Sequence, residues 1–234
     1  MTPDVSFVIP VYNEEPILHA AIVDLREQLV GAPFSYEIVL AENGSKDGTV
    51  RVAERLESKL PNVSHFSIGA PNYGAALRGG IERARGKYVV CEEIDLCDVD
   101  FHSRAVELLE RGAADLVIGS KLLAASHDDR PLTRHAASLL YNRMLRVTLG
   151  FRGTDTHGLK AFDREVLLPI VRKCVVDRDV FASELVIRAD REGVRVTEIP
   201  VRVLEKRTPS INLVSRVPNV IKNLAKLTYA IRFR

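Results

Sequence analysis

Two carboxylates one residue apart, Glu93 and Asp95, follow the short apolar run Lys87 to Cys91. Alternate side chains of an extended chain point to the same side, so these two can converge while Glu92 points away. Hard carboxylate oxygens meeting at a strand end suit a divalent cation such as Mg2+ or Mn2+; an isolated Glu-x-Asp is otherwise only a solvated strand end. Other polar groups also follow apolar runs. After Val5 to Val11, in which Pro10 falls, come Tyr12 and Glu14, an aromatic face and an acceptor for a base or a ribose hydroxyl. Asn13 and Glu14 could equally cap the next helix. Glu42 and Asn43 follow Tyr36 to Ala41; a carboxylate there suits a ribose hydroxyl or a base N–H, whereas Asn43-Gly44 alone would be a turn. Lys121, Arg134 and Arg207 are candidate phosphate binders if they are not merely solvated. Where an acceptor hydroxyl needs a general base, Asp155 is the nearest candidate, with His157 beside it in a loop.

The elements that must position these groups are legible as apolar periodicity. Strands are predicted at Val5–Val11, Tyr36–Ala41, Val63–Ile68, Lys87–Cys91 and Leu116–Ile118. Between them helices are predicted at Glu15–Leu29, Val50–Leu60, Tyr73–Arg85 (stopped by Gly86) and His102–Arg111. Strands alternating with helices make a mostly parallel sheet covered on both faces, with ligands bound beyond the carboxyl ends of the strands. The polar groups above all fall on that rim. Further on, helices are predicted at Leu132–Leu149, Arg164–Lys173 and Ala182–Glu192 (stopped by Gly193). Thr154 to Gly158 is predicted as a loop and Val194–Val203 as strand-like.

The 234 residues are 46% hydrophobic and 27% charged, enough for one substantial core, and the net charge of +2 argues against a nucleic-acid partner. Cys91, Cys97 and Cys174 show no metal-ligand spacing and read as reduced thiols of a cytosolic protein, Cys91 in the core. No leader is visible, and no uninterrupted apolar stretch of about 18 residues is present, so the chain is expected to lie on a membrane if it meets one.

The ordered blocks carry a resemblance. A strand ending Pro10-Val-Tyr-Asn-Glu14 is followed by Glu42-Asn-Gly-Ser-Lys-Asp-Gly-Thr49 and then by Asn72-Tyr-Gly-Ala-Ala-Leu-Arg-Gly-Gly80. Ile118-Gly-Ser-Lys121, Ser138 with Asn142, Asp155, Gly158-Leu-Lys-Ala-Phe162, Glu184 and Glu198-Ile-Pro-Val201 continue the series. This set, over residues 5 to 212, resembles the family 2 glycosyltransferases with the GT-A fold, and most of all the dolichyl- or polyprenyl-phosphate mannose or glucose synthases. The resemblance implies an α/β, Rossmann-like, mostly parallel sheet flanked by helices. It implies inverting transfer of a hexose from GDP-mannose or a UDP-sugar to a polyprenyl phosphate, with Mg2+ or Mn2+ at the active site. On that reading Pro10, Tyr12, Glu14, Glu42 and Asn43 bind the nucleotide, Glu93 and Asp95 the metal, and Lys121, Arg134 and Arg207 phosphate. Asp95, Asp155 and Arg207 are the catalytic set. The sequence departs from the family in four places. Glu42-Asn43 stands where the family usually has Asp-Asp before Gly-Ser, Glu93 replaces the first aspartate of its Asp-x-Asp, Cys97 stands where glutamine is common, and the basic segment at Arg207 lacks its later lysine. The alternatives are a family 2 enzyme acting on a soluble or saccharide hydroxyl, and a non-catalytic nucleotide-sugar-fold partner protein.

Residues 206 to 234 hold seven Lys or Arg and no Asp or Glu. Ile221, Leu224, Leu227 and Ile231 share one helical face, and Lys222 and Lys226 lie on another. Residues 1–212 therefore read as the GT-A domain and 213–234 as a basic amphipathic helix. That helix is expected at the cytoplasmic face of a membrane, where a lipid-phosphate acceptor resides. The competing expectation is packing on the domain, or on a partner subunit in a homodimer.

Overall fold

A computed structural model of the chain describes residues 2–94, 98–128, 131–176, 180–203 and 213–233. The apolar run Val5–Val11 forms β1, buried throughout except at half-buried Pro10, as a strand covered on both faces requires. α1 (Leu18–Gln28), β2 (Tyr36–Glu42), α2 (Thr49–Lys59), β3 (Val63–Ser67), α3 (Tyr73–Arg83), β4 (Tyr88–Cys91), α4 (Val99–Glu110) and β5 (Leu116–Ser120) follow. The second half runs β6 (His127–Asp128), α5 (Leu132–Leu149), β7 (Leu159–Asp163), α6 (Arg164–Lys173), α7 (Phe181–Arg191), β8 (Val196–Pro200), β9 (Arg202–Val203) and α8 (Leu213–Phe233).

Among the described residues seven strands make one sheet in the order β3-β2-β1-β4-β7-β5-β8. Every neighbouring pair is parallel except the two involving β7, which enters antiparallel between β4 and β5. β6 and β9 form a separate parallel pair. The sheet separates two cores. On one face Phe7, Ile9, Ile38 and Leu40 pack with Leu18, Ile22, Leu56 and Phe101 of α1, α2 and α4. On the other, Val8, Val89 and Phe162 pack with Leu77, Leu145, Leu167, Phe181 and Leu227 of α3, α5, α6, α7 and α8. This is the three-layer α/β architecture that the alternation of elements predicts.

Four details differ from the sequence reading. β7 was not read as a strand: Lys160 interrupts the apolar run that would have announced it. α3 stops at Arg83, before Gly86, because Ala84 already has an extended backbone (φ −54, ψ 135). The strand-like stretch Val194–Val203 divides into β8 and β9, which join different sheets. The apolar stripe of α8 is split as well. Leu224, Leu227 and Ala230 are buried, whereas Ile221 is 57% exposed. α8 packs against α5 and α7, and Arg232 Nη2 donates to Thr148 O at the end of α5 (2.6 Å). The face drawn in the sequence as lipid-facing is thus largely a packing face.

Candidate active site

The rim carrying the site is made by the ends of β1, β2, β4 and β5 and the start of β7. At its first corner the β1 loop is fastened to the loop after β2. Asn13 has φ +55; its N–H donates to Ser45 Oγ (2.9 Å), and its Oδ1 accepts from Lys46 N (2.9 Å). Glu14 N–H donates to Thr49 Oγ1 (2.7 Å). The cap position of α1 is Ile17, whose side chain makes no cap bond, and the Glu14 carbonyl accepts from Ile17 N and Leu18 N. The Asn13 side chain is thus turned to the loop after β2 and not to α1. Tyr12 leaves this corner 39% exposed, an accessible aromatic face.

Glu42 ends β2 buried, accepting from Ser45 N and Ser67 Oγ (both 2.5 Å). Burial pushes its carboxyl up, but the Ser67 and Ser45 hydrogen bonds more than reverse this and hold it below the usual range. Asn43 Oδ1 accepts from Asn72 N (2.5 Å), which ties the start of α3 to the same corner. Gly44 sits at φ +71, and a Cβ there would lie 2.6 Å from the Ala70 backbone, so only glycine lets these loops close together.

At the end of β4, Glu92 and Glu93 diverge as strand geometry requires. Glu92 turns inward, 2% exposed, to pair with the fully buried His102 of α4, and its Oε1 accepts from Glu93 N (3.1 Å). Glu93 faces the other way and accepts from Tyr73 OH (3.0 Å) at the start of α3. Asp95 and Cys97 lie outside the described residues, as does Arg207. Among the described residues no three metal-ligating side chains cluster, so a cation here would depend on Glu93 together with Asp95. The donor chemistry fits a hard cation. Glu93 offers carboxylate oxygen, and burial pushes the neighbouring Cys91 thiol up to about 12, so Cys91 offers no competing thiolate.

The third corner is the loop Thr154 to Gly158. Lys121 Nζ, just past β5, lies 2.8 Å from Asp155 Oδ2, an ion pair between two largely buried side chains. Asp155 Oδ1 also accepts from His157 N (2.9 Å). Burial pushes the Asp155 carboxyl up, but Lys121 and the His157 amide outweigh it and leave its pKa lowered. Glu198 of β8 holds the loop from below, accepting from Thr154 N (2.7 Å) and Thr154 Oγ1 (2.6 Å). Thr156 Oγ1 meets Ser183 Oγ (2.8 Å), which meets Tyr141 OH (2.9 Å), and the Tyr141 ring packs on His157. Arg134 is half-buried on the first turn of α5. Glu184, fully buried in α7, accepts from Val176 N (2.7 Å) and pairs with Arg188, so it shapes the preceding loop.

Sequence reasoning singled out neither Lys160, Tyr73 nor Glu198 for the site. Lys160 is 3% exposed, sits opposite Cys91 and Ile118 in the sheet, and donates to Gly158 O (2.7 Å). Burial lowers its pKa. The available signal was a lone lysine within Leu159-Lys160-Ala161-Phe162.

The model for "Glycosyl transferase family 2" matches residues 6–169, which carry all three corners. The chain belongs to this family. Among curated relatives of this family 2 chain, "Glycosyltransferase AglD" of Haloferax volcanii is 33% identical over 218 residues, covering 90% of this chain and 35% of the relative. "Dolichyl-phosphate beta-glucosyltransferase ALG5D" of Trichomonas vaginalis is 30% identical, covering 84% of this chain and 64% of the relative. The family 2 chain thus spans between about a third and under two thirds of the length of these relatives. Among solved structures it superposes on glucosyl-3-phosphoglycerate synthase from Mycobacterium tuberculosis in complex with Mn2+, UDP-glucose and phosphoglyceric acid. The TM-score is 0.70 at 20% identity, over 97% of this chain and 80% of that one. That likeness establishes the GT-A fold.

Proposed function

We propose that this family 2 chain transfers a hexose, with inversion, from a nucleotide sugar to a polyprenyl phosphate at a membrane surface. The donor is GDP-mannose or a UDP-sugar. The observation that carries the choice of acceptor is the Lys121–Asp155 pair. A general base works best with a pKa near the operating pH, whereas this pairing and the His157 amide lower the pKa of Asp155. A phosphate acceptor is already ionised and needs no base. Its oxygen attacks the anomeric carbon while the bond from that carbon to the diphosphate oxygen breaks, and the electron pair leaves with the nucleoside diphosphate.

Tyr12, Glu14, Glu42 and Asn43 form the nucleoside corner. Glu93 with Asp95 would hold Mg2+ or Mn2+, which neutralises charge on the leaving diphosphate when bound. Lys121, Arg134 and Arg207 are the cations that hold two anionic substrates together. The relatives named for dolichyl-phosphate glucosylation support this acceptor class.

Membrane contact is proposed for the outer surface of α5 and α8. Leu139, Leu140 and Val147 of α5, with Ile221 and Tyr229 of α8, are exposed apolar side chains, accompanied by exposed Arg143, Lys222 and Lys226. Apolar side chains fringed by cations suit an anionic lipid surface. No helix among the described residues is long and apolar enough to cross a membrane. We place this surface at the cytoplasmic face; a homodimer through the same surface is the competing occupant.

The deciding experiment supplies Mn2+, UDP-glucose or GDP-mannose, and three acceptors: a polyprenyl phosphate, the corresponding polyprenol, and a soluble saccharide. Product from the phosphate alone is expected. Transfer to either hydroxyl acceptor in preference would sink the lipid-phosphate reading.

A further inference from the structure

Glu93 stands where an aspartate would bring its carboxylate closer to the backbone by roughly one C–C bond, about 1.5 Å. The longer side chain also has one more rotatable bond, so a metal would have to freeze more freedom to use it. The structure shows what takes up that freedom. Tyr73 OH donates to Glu93 Oε1 at 3.0 Å. The residue is held from behind too, because its N–H donates to Glu92 Oε1 and Glu92 is itself paired with buried His102.

Tyr73 is well placed for this. It opens α3 directly after the cap residue Asn72, whose side chain accepts from Ala75 N (3.1 Å). Asn72 N in turn donates to Asn43 Oδ1, and Asn43 N donates to Val11 O (2.9 Å). The phenol is thus fixed on a helix end that is itself fastened to the nucleoside corner. Its ring packs half-buried against the core beneath α3.

We propose that Tyr73 is a positioning residue that aims the Glu93 carboxylate for a divalent cation, so that the longer side chain does the work of a shorter one. This rests on the metal reading proposed above. Ligating carboxylates are commonly held by a second hydrogen bond, and loss of such a partner costs about 10–100-fold in metal affinity. The Tyr73 hydroxyl belongs to the same device as the Glu93 substitution: each residue makes sense only with the other. The chain from Val11 through Asn43, Asn72 and Tyr73 to Glu93 also links the nucleoside corner physically to the metal corner.

The test measures Mn2+ binding directly, by electron paramagnetic resonance, with UDP and with GDP present, in four proteins: wild type, Tyr73→Phe, Glu93→Asp and the double variant. No turnover is needed, and Phe keeps the packing of the ring. Thermal denaturation of all four checks that they are folded. Tyr73→Phe should weaken Mn2+ binding by about tenfold or more in the wild-type background. It should do nothing further in the Glu93→Asp background, where the carboxylate no longer reaches the phenol. Equal binding by wild type and Tyr73→Phe overturns the role of Tyr73 alone. The same loss in both backgrounds also overturns it, because Tyr73 then acts on the fold. No Mn2+ binding by the wild type with either nucleotide overturns both this inference and the metal reading beneath it.

Discussion

Lys121 and Asp155, 34 residues apart in the chain, meet at 2.8 Å where the end of β5 faces the loop before β7. Each neutralises the other in a place where a lone charge would be costly. Removing one partner leaves the other buried and unpaired, so Asp155→Asn and Lys121→Met should each cost about 3–5 kcal/mol. Urea denaturation measures this. The sign of the pH effect follows from the lowered pKa of Asp155. The stabilisation is present above the ordinary carboxylate value and is lost as the pH falls through the lower folded-state value. Acidification below about pH 4 should therefore destabilise the wild type more steeply than Asp155→Asn.

If Asp155 is not a base, the pH dependence of kcat/KM between pH 6 and 8 should carry no limb that Asp155→Asn removes. A limb that vanishes in that variant would restore Asp155 as a proton acceptor and favour a hydroxyl acceptor.

Asp95→Ala should abolish transfer, whereas Cys97→Gln should retain or improve it by returning an amide oxygen to the region of the carboxylates. UDP or GDP should bind more tightly with Mn2+ than in EDTA. Calorimetry giving one affinity under both conditions would remove the cation from the mechanism and leave the phosphates to Lys121, Arg134 and Arg207.

Lys160 should show stability and function pulling apart. Its ammonium is buried with a lowered pKa, so the folded chain holds that proton less well than the unfolded chain does. This cost is fully present below the folded-state pKa and is relieved as the pH rises towards the ordinary lysine value of about 10.4. Lys160→Met should leave Tm unchanged or higher, since an apolar side chain of similar volume avoids the burial cost. Transfer should fall, because the cation that ties to the Gly158 carbonyl and acts electrostatically on Asp155 and Glu93 is gone. A lower Tm with transfer intact would mark Lys160 as purely structural.

Membrane attachment calls for surface changes, not truncation. Deleting residues 213–234 would strip Leu224, Leu227 and Ala230 from the core and expose what they cover. Ile221→Ser with Tyr229→Ser, or Leu139→Ser with Leu140→Ser, should lower sedimentation with anionic liposomes without changing Tm. Lys222→Glu with Lys226→Glu should weaken binding by about 1 kcal/mol for each cation lost. If liposome binding is absent and the apolar changes instead convert a dimer to a monomer, the surface belongs to a second copy.

The parallel half of the sheet was legible because β1, β2, β4 and β5 are mostly apolar runs followed by polar rim residues, even with Ser6 in β1 and Glu37 in β2. Strand alternation also separated Glu92 from Glu93. What was not legible depends on partners distant in sequence. Nothing in Leu159 to Asp163 announces a strand, because Lys160 is tolerated only by virtue of the Gly158 carbonyl and the nearby carboxylates of the folded site. The α8 stripe could be drawn from the sequence, but not that α5 and α7 cover Leu224 and Leu227 while Ile221 stays exposed. Asn13 looked like a helix cap because its partner, Lys46 N, lies 33 residues on.

The position of β7 has a consequence for how the chain matures. Within the sheet β4 and β5 are not neighbours; β7, which comes from residues 159–163, lies between them. A growing chain that has emerged only as far as β5 therefore presents β4 with an unpaired hydrophobic edge, the kind of edge that recruits strands from other chains. Arrival of β7 zips that edge, carries Lys160 into the centre, and fixes the spacing between Glu93 at the end of β4 and Lys121 at the end of β5. Closing this gap in the sheet is thus a late event in synthesis, and the Thr154 to Gly158 loop waits later still for Glu198 of β8.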